Sequence, residues 1–151
     1  MGLTGKLVAE LELRSSGDLF YDMFCNKPHH VSKVSPQYIQ GCNLHAGKFG
    51  APGSVVIWNY KIDGKACVAK DLVEVIDVKN KSITFKVIEG DLMNEYKFFK
   101  FTINTAPKGE FNIVKWTLEY EKLYKGVDEP IKLLELVINI TKDIEVYHLQ
   151  A

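Results

Sequence analysis

Four residues in the first third of the chain have the types and spacing of a metal centre: Cys25, His29, Cys42 and His45 read C-x3-H-x12-C-x2-H. Two thiolates and two imidazoles would suit a tetrahedral zinc ion. Residues 37–45 read as a strand, however, and residues three apart on a strand point to opposite faces, so Cys42 and His45 do not converge on one ion without a bulge. Ordinary thiols and imidazoles are the simpler account, and no metal is expected. The run 47–54, with Gly47, Gly50 and Gly53, is a second candidate, for phosphate. A phosphate loop ends in Gly-Lys-Ser/Thr and opens a helix. Here Ser54 follows Gly53 without the lysine and a strand pattern comes next, so the glycines serve a tight turn with positive φ and no nucleotide cofactor is expected. No Ser, His and Asp grouping reads as a triad, and no catalytic residue is assigned. Asp63 and Asp91 fall in turns and read as solvated. The aromatics say more. Trp58, Tyr60, Phe85, Phe99, Phe101, Trp116 and Tyr120 fall on expected strands, where they either fill a core or form the apolar wall of a pocket.

The elements that must position these side chains are legible in the alternation. Residues 6–14 place Leu7, Ala9, Leu11 and Leu13 on one face and Val8, Glu10 and Glu12 on the other. Ser15 and the acidic Asp18 three positions later give cap chemistry for a short helix over 19–24, and a second helical piece over 28–34 stops at Ser35-Pro36. Six strands then follow, over 37–45, 54–62, 66–78, 82–89, 95–105 and 111–121, joined by turns such as Asp63-Gly64. Short links imply antiparallel neighbours. Asp128 is placed to cap a helix over 130–149, which at 1.5 Å per residue is about 30 Å long. Helices segregated from an antiparallel sheet define an α+β architecture. Strands of this length make the sheet curl, and one amphipathic helix across the curl makes a grip around a space.

Composition narrows the functional classes. The 151 residues suffice for one domain, 1–151, with its own core. Nineteen basic residues balance nineteen acidic ones, so no global field draws nucleic acid or an anionic membrane. Three cysteines are an odd number and read as reduced thiols, not as a disulfide framework. No run approaches the ~20 apolar residues of a membrane span, and no signal peptide opens the chain, so a cytoplasmic protein without membrane insertion is expected. The Met1-Gly2 start lacks the Ser or Thr that myristoylation wants at Lys6, and the sequons at Asn80 and Asn139 are read as unused.

The segment from Gly47 to Ser54, followed by Val55-Val56-Ile57-Trp58-Asn59-Tyr60 and Asp63-Gly64-Lys65, resembles the major latex proteins, a subgroup of the birch-pollen-allergen and class-10 pathogenesis-related superfamily. Ser35-Pro36-Gln37, Ile88-Glu89-Gly90-Asp91, Lys100-Phe101-Thr102, Trp116 to Lys122 and Thr141 to Glu145 match it as well, in order along the chain. The resemblance implies a helix-grip fold: a seven-stranded curved antiparallel sheet, two short helices and one long C-terminal helix around a cavity. It also implies binding of a small hydrophobic or amphipathic ligand of lipid, lysolipid, sterol or phenolic type, by a monomer or weak dimer, in plant defence or stress response. Alternation and resemblance agree on inward Val56, Trp58 and Tyr60, and on Ile83, Phe85 and Val87; the resemblance adds Phe99, Phe101 and Ile103. Leu11, Ile138 and Thr141 complete the apolar candidates, and Gly47, Gly50, Gly53 and Gly90 mark two entrance loops. On the last strand Val114, Trp116, Leu118 and Tyr120 form the apolar face, yet the resemblance implies an inward ionisable side chain at the position of Lys115, as in related binding and catalytic members. Lys115 is thus either a polar cavity residue or a solvated lysine. Two alternatives to carriage follow from the resemblance: an enzyme condensing or rearranging alkaloid precursors through Lys115, and a ligand-gated interaction module that moves at 89–94.

Overall fold

In a computed structural model that describes residues 2–150, the alternating segment forms strand β1, Thr4–Leu13. Helix α1, Gly17–Asn26, follows at once. Its cap is Ser16, whose Oγ accepts the Leu19 N–H at 3.1 Å, one residue later than the expected Ser15. Ser15 is buried instead. A 3-10 turn, Pro28–His30, leads into the single-turn helix α2, Val31–Val34, which ends before Pro36. Strands β2 (Ile39–Ala46), β3 (Val55–Ile62), β4 (Lys65–Asp77) and β5 (Ser82–Gly90) come next. After a 3-10 turn, Asp91–Asn94, the chain forms β6 (Tyr96–Lys108), β7 (Phe111–Lys122) and the long helix α3, Ile131–Gln150.

All seven strands belong to one antiparallel sheet in the order β1-β7-β6-β5-β4-β3-β2, so β1 and β2 are free edges and the sheet does not close. Asp63 and Gly64, at φ 51° and 77°, make the tight β3–β4 turn that the Asp-Gly pair foretells. β4 and β5 slip register twice: Lys70 pairs with Glu89 but Asp71 with Val87, and Val73 pairs with Phe85 but Val75 with Thr84. Ile88 and Glu74 are the extra residues. Such bulges bend the strand and re-aim side chains, which is how this sheet acquires its curl.

α3 packs against β1 and β3, spanning the open side of the sheet. Its stripe Leu133, Leu136, Val137, Ile140 and Ile144 is buried, at the i, i+3, i+4, i+7 spacing of one helical face. The helix begins after Pro130, whose carbonyl accepts the Leu134 N–H at 3.1 Å, so Asp128 stands before the first turn instead of capping it. The Asp128 main-chain carbonyl accepts the Tyr96 hydroxyl at 2.8 Å, and Lys122 Nζ meets Glu129 at 2.7 Å, with the Tyr120 hydroxyl donating to the same carboxylate. Polar contacts also hold the far half. Trp116 Nε1 donates to Thr141 Oγ1 at 2.8 Å, Ser35 Oγ to Asp143 at 2.6 Å, and the Arg14 N–H to Glu145 at 2.6 Å. Between these two sets of fastenings the helix turns an apolar face to the sheet, with the exposed Lys132–Asp63 pair at its margin.

Candidate functional site

The inward faces of the strands and the stripe of α3 line a cavity of about 70 Å3, taken as the space open to the centre of a water molecule. The sheet supplies Ile39, Trp58, Tyr60, Ala69, Asp71, Phe85, Phe101 and Trp116 to its wall. α1 adds Phe24, the 3-10 turn before β6 adds Leu92, and α3 adds Leu133, Leu136, Val137 and Ile140. Aromatic rings give the wall its shape. Phe24 sits 6.2 Å from Trp58 and edge-on to Trp116 at 5.4 Å, and Trp58 meets Phe85 edge-on at 6.1 Å. These are the separations at which aromatic pairs attract beyond simple burial.

Of the sequence candidates, Trp58, Tyr60, Phe85 and Phe101 converge on this space. Val56, Ile83, Val87, Phe99 and Ile103 point inward and are buried, but they pack in the core beside the cavity and do not line it. Phe99 belongs to a second aromatic cluster, 5.0 Å from Tyr96, 5.0 Å from Phe101 and stacked at 5.9 Å on Tyr120. Leu11 and Ile138 are half-buried outside the wall. Thr141 is fully buried, with its hydroxyl already occupied: it accepts from Trp116 and donates to the Val137 carbonyl at 2.7 Å.

Lys115 lies on the other side of the sheet. Pairing places Trp116 opposite Ala9 and Ile103 on the inner face, and Lys115 opposite Glu10 and Asn104 on the outer face, where it is exposed. The apolar phase of β7 therefore prevails over the inward lysine that the resemblance implies. The two turn carboxylates are engaged instead of merely solvated. Asp63 pairs with Lys132 of α3, and Asp91 accepts the Val68 N–H at 2.8 Å.

The two glycine loops differ in their relation to the cavity. Residues 47–53 contribute nothing to its wall. Their turn is closed by Ser54, whose Oγ donates to the Lys48 carbonyl at 2.6 Å and accepts the Lys48 N–H at 3.0 Å, and Phe49 stacks on His29 at 4.4 Å. The loop after Gly90 does reach the cavity, through Leu92. A polar cleft lined by Tyr38, Lys61, Asp63, Lys132, Glu135 and Asn139 shares Leu136 with the cavity.

Asp71 is the one ionisable acid in the wall. Only 4% of it is exposed, its Oδ1 has no hydrogen-bond partner, and burial alone pushes its carboxyl from 3.8 up to about 7. Burial likewise pushes the Tyr60 phenol up, with Cys67, Asp91 and Asp71 adding to it, so the phenol stays protonated at neutral pH. The remainder of the wall that sequence reasoning missed was partly signalled. Leu133, Leu136, Val137 and Ile140 carry the helical stripe, and Phe24 lies four residues after Phe20 on α1.

A long helix laid over an open curved sheet around an apolar cavity defines a ligand-enclosing helix-grip protein. The chain belongs to the Pathogenesis-related protein Bet v 1 family, whose model matches residues 2–151. Its relatives are major-latex-type proteins. It is 50% identical over 145 residues to MLP-like protein 43 of Arabidopsis thaliana, covering 95% of this chain and 92% of that one. It is also 50% identical over 145 residues to MLP-like protein 28 of the same plant, covering 95% of this chain but spanning only 43% of that longer protein. The crystal structure of ginseng major latex-like protein 151 from Panax ginseng superposes with a TM-score of 0.96 at 49% identity, covering 98% of this chain and 99% of that one. Norcoclaurine synthase from Thalictrum flavum, in complex with dopamine and hydroxybenzaldehyde, aligns with a TM-score of 0.75 at 16% identity over 96% of this chain and 88% of that one, which shows a common fold alone. Among the described residues no helix is long and apolar enough to cross a membrane.

Proposed function

We propose that the protein binds and carries a small hydrophobic or amphipathic ligand in this cavity, as a cytoplasmic monomer or weak dimer acting in defence or stress response. The observation that carries the reading is the apolar, aromatic-lined space beneath α3. At roughly 10–15 Å3 per water by this measure, the space equals about five or six waters. A phenolic or single ring system suits it as it stands, and a lipid or sterol requires side chains such as Leu136 and Phe101 to turn aside. Burying about 300 Å2 of ligand surface gives roughly 7 kcal/mol before ordering costs, which makes micromolar the tight end of the expected affinity.

Both tryptophans of the chain, Trp58 and Trp116, line the cavity, so intrinsic fluorescence reports occupancy directly. Titration with phenolic, lysolipid, fatty-acid and sterol ligands is expected to give saturable changes in the micromolar range. Ala69→Trp, which fills the space from the sheet side, is expected to abolish them. A full panel without saturation, or signals indifferent to that filling, would overturn carriage. The enzymatic alternative through Lys115 has no support from this geometry, because the lysine faces away from the cavity. The gated-module alternative draws on Leu92, through which the 89–94 loop touches the space that a ligand would fill. Hydrogen exchange decides it: a gate requires added protection at 89–94 on binding, and equal protection in both states removes it.

A further inference from the structure

The cavity surface is almost wholly apolar, Asp71 is the one carboxylate among the residues that line it, and a buried acid whose Oδ1 has no partner is costly to keep. Two bulges flank its position, with the extra residues Ile88 and Glu74 on the paired strands β5 and β4. The alternation of β4 puts Cys67, Ala69, Asp71 and Val73 on the buried face, while Lys70 on the other face pairs with Glu89 at 2.8 Å. No protein cation is thus spent on Asp71. We propose, building on the carrier reading, that the ligand of this cavity presents an N–H or O–H donor, on an ammonium or a hydroxyl group, to Asp71, and that Asp71 rejects apolar carboxylates.

The surroundings leave this role to the ligand. From β2 the Cys42 thiol faces Asp71 and from β3 the Tyr60 phenol, and both are pushed up by burial first and by the Asp71 charge in addition, so they remain neutral. β5 pairs Val87 with it, β7 contributes Trp116 to the same wall, and α3 contributes only aliphatic side chains. None of these supplies a positive charge. A ligand ammonium would form a buried ion pair and a hydroxyl would donate to the carboxylate, each once a neighbouring side chain turns aside to uncover Oδ1, which is covered in the empty cavity; a carboxylate would bring a second negative charge into the same low-dielectric space. Because the acid is pushed up to about 7 in the empty cavity, an ammonium gains its full partner only once Asp71 ionises, whereas a hydroxyl also pairs with the protonated form.

Three probes of one shape test this: naphthylethylamine, naphthylethanol and naphthylacetate, titrated calorimetrically into the wild type and into Asp71→Asn at about pH 8 and about pH 5.5. The wild type is expected to bind a donor-bearing probe about tenfold or more tightly than naphthylacetate at the higher pH. An ammonium ligand is indicated if the amine leads and its lead over the alcohol shrinks at the lower pH; a hydroxyl ligand is indicated if the alcohol leads at both. In Asp71→Asn the preference of amine over acid is expected to collapse. Equal affinities for the three probes, or a preference for naphthylacetate, would overturn the Asp71 proposal in the wild type alone and leave carriage standing. Binding of none of the three would overturn the Asp71 proposal, and carriage falls with it only if the phenolic, lysolipid, fatty-acid and sterol panel also fails to saturate.

Discussion

Across the range from about pH 4 to about pH 7 the empty protein is expected to lose stability through Asp71, and Asp71→Asn to abolish that loss. The unfolded chain releases this proton near the ordinary value of 3.8, whereas the folded chain keeps it to about 7. Between those values the native state binds the extra proton, so stability falls as pH rises and levels off above the folded-state value. Desolvation is the sole cause of the shift, and no partner offsets it. The whole interval corresponds to a term on the order of 4 kcal/mol. Asp77, Glu89 and Glu129 are held below the usual carboxylate range by hydrogen bonds and by nearby lysines, and they act in the opposite sense at lower pH. The measurement is therefore the difference between wild-type and Asp71→Asn urea unfolding free energies at several pH values. The two proteins should be similar near pH 4 and diverge by several kcal/mol near pH 8, with the variant the more stable. A difference that does not vary with pH would mean that Asp71 ionises without penalty.

Gly90→Ala is expected to produce the other large effect. Gly90 holds φ 120° and ψ −170°, a region that side-chain-bearing residues avoid at a cost of about 1–3 kcal/mol. Space fails as well: a Cβ there would run into the Val68 carbonyl oxygen and within 3.1 Å of the Ala69 Cα, both backbone atoms of the neighbouring strand. The strand must move or the turn must open. A loss of roughly 3 kcal/mol or more follows, which for a chain of this size lowers Tm by about 10 °C. Gly53→Ala is the control, since Gly53 also has positive φ, 86°, but nothing lies within 4 Å of the added methyl. That variant should lose only about 1 kcal/mol. Calorimetric melting of the two variants side by side checks the contrast, and equal losses would show that backbone crowding at Gly90 is unimportant. Because Leu92 follows within the next turn, Gly90→Ala should also disturb the cavity wall, visible as a shift in tryptophan emission.

The order of elements was readable because alternation, turn residues and caps agree along most of the chain. Phases were readable where one face is clearly polar: Ser82, Thr84 and Lys86 leave Ile83, Phe85 and Val87 to the inside, and these are buried. On β7 the apolar set Val114, Trp116, Leu118 and Tyr120 already gave the correct face, while the resemblance to catalytic relatives argued for Lys115. β4 could not be phased in this way. Cys67, Ala69 and Val73 lie on one face and Val68, Leu72 and Ile76 on the other, so neither is polar enough to declare itself outside. Two bulges then uncouple its phase from that of β5, and a carboxylate at Asp71 read naively belongs to water. The division of the inward aromatics between wall and filled core was equally hidden. Phe85 and Phe99 look alike in an alternating pattern, yet Phe85 lines the space while Phe99 packs among Tyr96, Phe101 and Tyr120.

A helix made fast beyond both margins of a cavity behaves as a beam fixed at its two supports. Before its first turn stand the contacts of Asp128 and Glu129 with Tyr96, Tyr120 and Lys122, and from Thr141 onward stand those with Trp116, Ser35 and Arg14. Lifting the whole span would break several polar contacts together, whereas turning a leucine inside it breaks none. On the proposed carrier reading, traffic through the protein is thereby graded by kinetics. A guest that fits after a rotamer change exchanges on the fast time scale of side chains, and one that needs the beam to rise waits for a rare opening of the fold. Selection by size is in this way written into the residence time, separately from whatever equilibrium the finished contacts would favour.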